Sequence, residues 1–421
     1  MGQGDMRKIL FIVLESKSAN GICTKAVMDE CIRKGLEVYC LTNQEYNEKD
    51  EYFKDGIWYY TIKPRMYYKI DAYINNKVKD KKVQRILKFI NSILGKIKLL
   101  LSYPTWPLIS PMYTNRIYYK ANQVCRNHMI DTIVPVYTQI DALIAAERIK
   151  KRYEYIQYIP YFLDSFSGGY GPKIFSQEWT IRRGLRWEAK LLPCANKIIM
   201  MRSAQSHYER YCVDTEYYKL IRFLDLPLFT PKQNIDIVDT LLEKDAINLL
   251  YVGSIPAHIR NPQYFLKMFR MIANNHLRLT IIGDSTCESL LKEMAREDNR
   301  IHLLPKVDHD IVLAAMEAAD ILVNLGNNNI HMTPSKIFEY MSFGKPILST
   351  APIRDEPSIK YLQYYPCKYI IDESIDIMHN ARQVDEFIRS NYSRRVKSVE
   401  LCENFYLNTP EAFVNCICEE E

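Results

Sequence analysis

The stretch PSKIFEYMSFGKP, residues 334–346, sets a proline, a serine, a lysine and a glutamate close together. Proline is favoured at the first position of a helix, where its missing N–H leaves no bond unmade. Ser335 and Lys336 then offer backbone amides and a cation in the first turn, which is chemistry for a phosphate. Glu339 lies one turn beyond Lys336 on the same face, where a carboxylate can accept the two hydroxyls of a ribose. A second set stands upstream: Gly253 closes the apolar run LLYV, and Arg260 follows just ahead of a helix beginning near Pro262. Either set suits a diphosphate. With no ligand at all, the lysine and glutamate would make an exposed i,i+3 pair.

Such residues need a scaffold that brings strand ends together. ILFIVL (9–14) reads as a buried strand, followed by a polar turn, a helix over 22–34 stopped by Gly35, and the strand EVYCLT. The same grammar restarts at INLLYV (247–252), with a helix over 263–274, the strand LRLTII, a helix around 288–297, IHLL, a helix over 311–319 and DILVNL. Alternation of this kind predicts parallel sheets covered on both faces, in an α/β chain of two doubly wound domains. The domains predicted are 1–226 and 247–375, joined by a proline-bearing linker over 227–246. A charged helical segment over 376–421 follows, and the sequence leaves open whether it crosses back to the N-terminal domain.

Residues 77–101 break this rhythm. Val83, Ile86, Leu87, Ile90, Ile93, Leu94, Ile97 and Leu101 form one helical stripe, flanked by Lys77, Lys79, Lys81, Lys82, Arg85, Lys88, Lys96 and Lys98 against a single Asp80. Tyr103 and Trp106 come next. A basic amphipathic helix with aromatic neighbours suits an anionic membrane surface, and residues 77–106 are the expected contact. The competing reading is a domain helix whose stripe faces a core.

A chain of 421 residues is long enough for two cores, since single cores stop growing at roughly 250–300 residues. With 48% hydrophobic and 25% charged residues it reads as an ordinary folded protein. The apolar run near the N-terminus is too short for a signal peptide, and no stretch approaches the roughly 18 apolar residues of a membrane span, so a cytoplasmic location is expected. Eleven scattered cysteines, without a CxxC pair, predict reduced structural thiols.

PSKIFEYMSFGKPIL resembles the donor motif of the group 1 retaining glycosyltransferases (family four), which have the GT-B fold of two Rossmann-like domains facing a cleft. YVGSIPAHIRNPQYFLKMF, LTIIGD and the N-terminal ILFIVLESKSANGICTKAVMDECIRKGLEVYCLT are similar to further parts of that family. The likeness is strongest to transferases of bacterial capsule, exopolysaccharide and lipopolysaccharide pathways. It implies transfer with retention from a nucleotide-diphosphate sugar to a glycan or lipid-linked acceptor, of hexosyl type, with no metal at the diphosphate and no cofactor. Glu339 would bind the ribose, Ser335 and Lys336 the phosphates, and Arg260 the diphosphate, with Gly253 in the same loop. Gly21 would let the backbone approach a substrate, and Asp164 would contact the acceptor or act as base. The family's second glutamate is replaced by His331, expected near the donor sugar, and Leu163 replaces a frequent histidine. A non-catalytic scaffold of the same fold and a sugar-nucleotide epimerase are the alternatives. A net charge of +6 without a recognition motif does not make a nucleic-acid binder.

Overall fold

A computed structural model describes residues 7–45, 48–169, 171–172, 174–229, 241–329, 334 and 336–419. They divide into two units, one running to Pro227 and resuming at Pro410, the other spanning Leu228–Thr409.

In the first unit the apolar runs become strands β1 (Lys8–Ile12), β2 (Glu37–Asn43), β3 (Glu51–Lys54), β4 (Ile57–Ile62), β5 (Thr132–Tyr137), β6 (Gln157–Tyr158), β7 (Tyr161–Phe162), β8 (Ile198–Met201) and β9 (Ile221–Leu224). Their order is β3-β4-β2-β1-β5-β7-β8-β9, with β6 paired to β5. All the pairings are parallel except β3 with β4. Phe11 is flanked by Cys40 on one side and Val134 on the other, so β1 is central and its apolar residues are buried on both faces. The run YEYIQYIPYFL makes two short strands on either side of Ile159 and Pro160, because proline has no N–H to give a ladder.

The second unit is a parallel sheet of β10 (Ile247–Val252), β11 (Leu277–Ile282), β12 (Ile301–Leu304), β13 (Ile321–Asn324), β14 (Ile347–Ala351) and β15 (Lys368–Asp372). The order β12-β11-β10-β13-β14-β15 reverses direction between β10 and β13. In the first unit the same reversal falls between β1 and β5. Open parallel sheets take ligands beyond the strand carboxyl ends at such a reversal.

Most of the basic segment is one helix, Lys81–Leu101, and Lys77 ends the helix before it, Met66–Lys77. Asp80 ends the continuity by capping Lys81–Leu101, its Oδ1 accepting from the amides of Lys82 and Val83 at 2.7 and 3.3 Å. The apolar stripe of Lys81–Leu101 faces outward: Ile86 is 59% and Leu94 56% exposed, whereas Asn91 is 4% exposed. Asn91 donates to the Tyr67 carbonyl at 3.0 Å, and Gly95 lies against the Tyr67 ring. Polar and small side chains thus form the packed face, the inverse of a helix on a core.

The C-terminal segment is divided between the units. Helix Ile377–Asn391 lies on β15 and helix Gln263–Met271, whereas helix Pro410–Cys418 lies against helix Ala19–Arg33 and β9. No helix among the described residues is long and apolar enough to cross a membrane.

Candidate functional site

In the second unit the chain must turn sharply after β10 and β11. Gly253 and Gly283 take φ of 138° and 142°, and a Cβ on Gly283 would stand 2.3 Å from the Gly253 carbonyl oxygen. Only glycines fit this close passage. The two loops open a cavity of about 210 Å³, lined among others by Gly253, Asp284, Lys306, His309 and Lys336.

Helix Lys336–Ser342 is fixed beside this cavity by the buried Tyr340, whose hydroxyl accepts from the Val252 amide at 2.8 Å and donates to the Val252 carbonyl at 3.1 Å. Hydroxyl burial pushes the Tyr340 phenol far above its ordinary range. Lys336 therefore lies at the cavity wall, with its Nζ paired to Glu339 Oε2. His309 Nε2 stands 3.9 Å from the other carboxylate oxygen.

Arg260 reaches the same region. Its Nε donates to Asn327 Oδ1 at 3.0 Å, and Nη1 donates to the Tyr251 hydroxyl and the Ser254 carbonyl at 3.1 and 3.3 Å. These acceptors are neutral, and among the described residues Nη2 has no partner. The guanidinium is thus aimed without a direct carboxylate partner among the described residues, as an anion site needs. Asn327 is itself held from behind: its amide donates to Glu356 Oε1 at 3.1 Å, and Glu356 Oε2 accepts from the Ser358 amide at 2.8 Å. Burial raises the Glu356 carboxyl above its ordinary range, against the lowering effect of these bonds and of Arg260.

Gly253, Arg260, Lys336 and Glu339 are therefore gathered around the β10 end of one sheet. His331 and Ser335 lie outside the described residues. Tyr251, Asn327, Tyr340, Glu356, Lys306 and His309 had no sequence signal of their own, because each acts across tens of residues. Lys345, just beyond helix Lys336–Ser342, is fully buried and donates to the carbonyls of Glu317 and Ala319 at the end of helix His309–Ala318. Burial and Arg395 lower its pKa to about 8.

Gly21 and Asp164 belong to the first unit. Ser18 caps helix Ala19–Arg33 by accepting from the Gly21 amide at 3.2 Å. A Cβ on Gly21 would stand 2.1 Å from the Ser16 carbonyl oxygen, so the loop after β1 closes only on glycine. Asp164, exposed just beyond β7, accepts from Asn20 Nδ2 at 3.4 Å, and Gln139 beyond β5 donates to Glu15 at 2.9 Å. This end offers carboxylates and amides. No group of His, Cys, Asp and Glu among the described residues is arranged to hold a metal.

Residues 246–358 match the family model for glycosyl transferases group 1. No curated protein sequence matches the chain. Several solved structures are similar over nearly their full length. A glycosyltransferase from Rickettsia africae has a TM-score of 0.60 at 12% identity, covering 99% of this chain and 100% of that one. The E. coli trehalose-6-phosphate structure with bound UDP-2-fluoro glucose gives 0.59 at 10%, covering 98% and 99%. Anabaena HepE in complex with UDP gives 0.54 at 12%, covering 97% and 99%. The chain thus has the two-sheet GT-B architecture, and its second unit carries the match to the group 1 glycosyl transferases.

Proposed function

We propose that the protein is a retaining glycosyltransferase that moves a hexosyl group from a nucleotide-diphosphate sugar to a polysaccharide or lipid-linked glycan in surface polysaccharide synthesis. The observation carrying this is the convergence of Arg260, Lys336 and Glu339 on the β10 end of a sheet whose sequence matches the family. Glu339 takes the ribose hydroxyls, and Lys336 with Arg260 takes the diphosphate, Ser335 and Gly253 supplying backbone beside it. Donor binding must separate the Lys336–Glu339 pair, since each partner then faces its own part of the ligand. When the bond from the sugar to the phosphate oxygen breaks, its electron pair stays on the diphosphate, and the two cations stabilise that charge without needing a metal. The acceptor hydroxyl forms the new bond and loses its proton, with Asp164 as contact or base and Gly21 shaping the approach. His331 is assigned to the donor sugar.

The outward stripe of Lys81–Leu101 supports a peripheral site on the inner, anionic face of a membrane. Exposed Val83, Ile86, Ile90 and Leu94 would enter the bilayer boundary, while Lys81, Lys82 and Arg85 meet acidic headgroups, each contributing about 1 kcal/mol. Replacing those three cations with glutamate should abolish sedimentation with anionic vesicles and leave melting unchanged; unchanged sedimentation would reject the membrane site.

Calorimetry decides the donor site. Glu339→Ala should weaken nucleoside mono- and diphosphates alike, because both carry the ribose, whereas Lys336→Ala should weaken the diphosphate more. Folded variants that bind both ligands like the parent would leave the scaffold reading in place.

A further inference from the structure

Glu188, on helix Gln177–Leu191 of the first unit, is fully buried, and among the described residues it has no cation as an ion-pair partner. Its Oε1 accepts from the Ser167 amide at 3.0 Å and the Tyr208 hydroxyl at 2.7 Å. Its Oε2 accepts from the Ser167 hydroxyl at 3.0 Å and the Tyr217 hydroxyl at 3.4 Å. Four donors converge on one carboxylate, which offers about four lone-pair sites and no proton when ionised. Ser167 Oγ also lies 2.8 Å from His207 Nε2.

The direction of each proton follows. Ser167 has a single hydroxyl proton, and an ionised Glu188 can only accept it, so Ser167 must accept from His207. That requires the proton of the neutral imidazole on Nε2 and leaves Nδ1 with a lone pair. Burial lowers the His207 pKa, which favours this neutral ring. The ring is half-buried, and among the described residues Nδ1 has no hydrogen-bond partner. A Cβ on Gly168 would stand 3.2 Å from that nitrogen, so the glycine keeps its surroundings open. His207 follows β8, and Ser167 lies in the loop after β7 that carries Asp164; both are on the carboxyl-end side of the sheet.

We propose that Glu188 is a positioning residue: through Ser167 it holds His207 as the Nε2–H tautomer, offering Nδ1 as an acceptor for a hydroxyl beside the Asp164 loop. Under the transferase reading, on which this role rests, that hydroxyl belongs to the glycan acceptor. The inward bonds to the Ser167 amide and hydroxyl fix the loop and the ring together.

The test uses the full chain labelled with 15N-histidine at a pH where the ring is neutral, with long-range 1H–15N spectra reporting the tautomer. The parent should show His207 with its proton on Nε2. In Glu188→Gln the carbonyl oxygen must stay at Oε1, because the Ser167 amide there can only donate, whereas both groups facing Oε2 are hydroxyls that can also accept; the amide NH2 then faces Ser167 Oγ and donates to it. Ser167 then donates to His207, and the proton should move to Nδ1. Ser167→Ala removes the link and should give a mixture of tautomers even if the first variant folds poorly. A parent with Nδ1–H, or the parental tautomer in both variants, would overturn the proposal. Nucleotide diphosphate binding, measured on the same samples, should stay at the parental level; its absence in the parent, with the tautomer change intact, would reject the transferase reading and leave the relay standing.

Discussion

The two sheets share the reversal of strand order that makes a ligand crevice, yet their carboxyl ends differ in charge. The second unit places Arg260 and Lys336 there, with Lys306 and His309 lining the same cavity or standing beside it. The guanidinium is steered by neutral oxygens and therefore keeps its field. The first unit places Asp164, Asn20, Gln139 and Glu15 there, and its buried Glu188 is bonded by three hydroxyls and one backbone amide. A cationic end selects phosphate, while an end of carboxylates and amides selects hydroxyl groups. Topology fixes where a ligand binds, and a few side chains fix which kind.

The largest expected effect that tests this contrast is Arg260→Ala. Losing a charged hydrogen bond of about 1.5–3 kcal/mol should weaken nucleoside diphosphate binding about 10- to 100-fold by calorimetry. Parental affinity in a folded variant would place the anion elsewhere. Asn327→Ala keeps the charge and removes the acceptor that aims it, so a loss of about 3- to 10-fold is expected, corresponding to about 1 kcal/mol for a hydrogen bond that positions without touching ligand.

A smaller effect comes from pH. Burial holds the Glu188 carboxyl above its ordinary value of 4.5, so ionising it costs more in the fold than in the unfolded chain. Below 4.5 this group is protonated whether the chain is folded or not. As pH rises through 4.5 towards the folded value, the parent loses stability from this site, whereas Glu188→Gln does not. The melting-temperature difference should therefore shift towards the variant over that range and then level off; a flat difference would contradict the burial argument. Smallest of all is Asp164→Asn, for which nucleoside diphosphate affinity should equal that of the parent, because the proposed phosphate site lies in the other unit.

Much of the architecture was legible because its signals are local. ILFIVL is a continuous apolar run and INLLYV is apolar apart from Asn248, and runs of that length bounded by turn residues suit a strand buried on both faces. The donor-motif residues Lys336 and Glu339 were legible because one helical turn joins them. The stripe of Lys81–Leu101 was visible, but periodicity alone cannot give its direction. That depended on Asn91 and Gly95 fitting against Tyr67, a contact with a different helix. Asn327 behind Arg260, and Glu188 behind Ser167, were hidden for a related reason: neither partner is a sequence neighbour, and a lone Asn or Glu has many ordinary uses. The burial of Lys345 was hidden in the same way, since the carbonyls that hold it belong to the end of a helix more than twenty residues away.

The return of the chain to the first unit at Pro410 has a consequence for how the protein is made. Helix Pro410–Cys418 is bound there by Lys197, which donates to the carbonyls of Cys416 and Glu419 at 3.0 and 2.6 Å, and by Phe413 against Tyr161. Leu228–Thr409, by contrast, is one uninterrupted piece of chain. On a ribosome the part encoded first must therefore wait for a helix encoded after the whole of the second unit. During that interval the groove that will receive this helix stands open, and the later-made unit can reach its native state before the earlier one does, reversing the usual N-to-C order of folding.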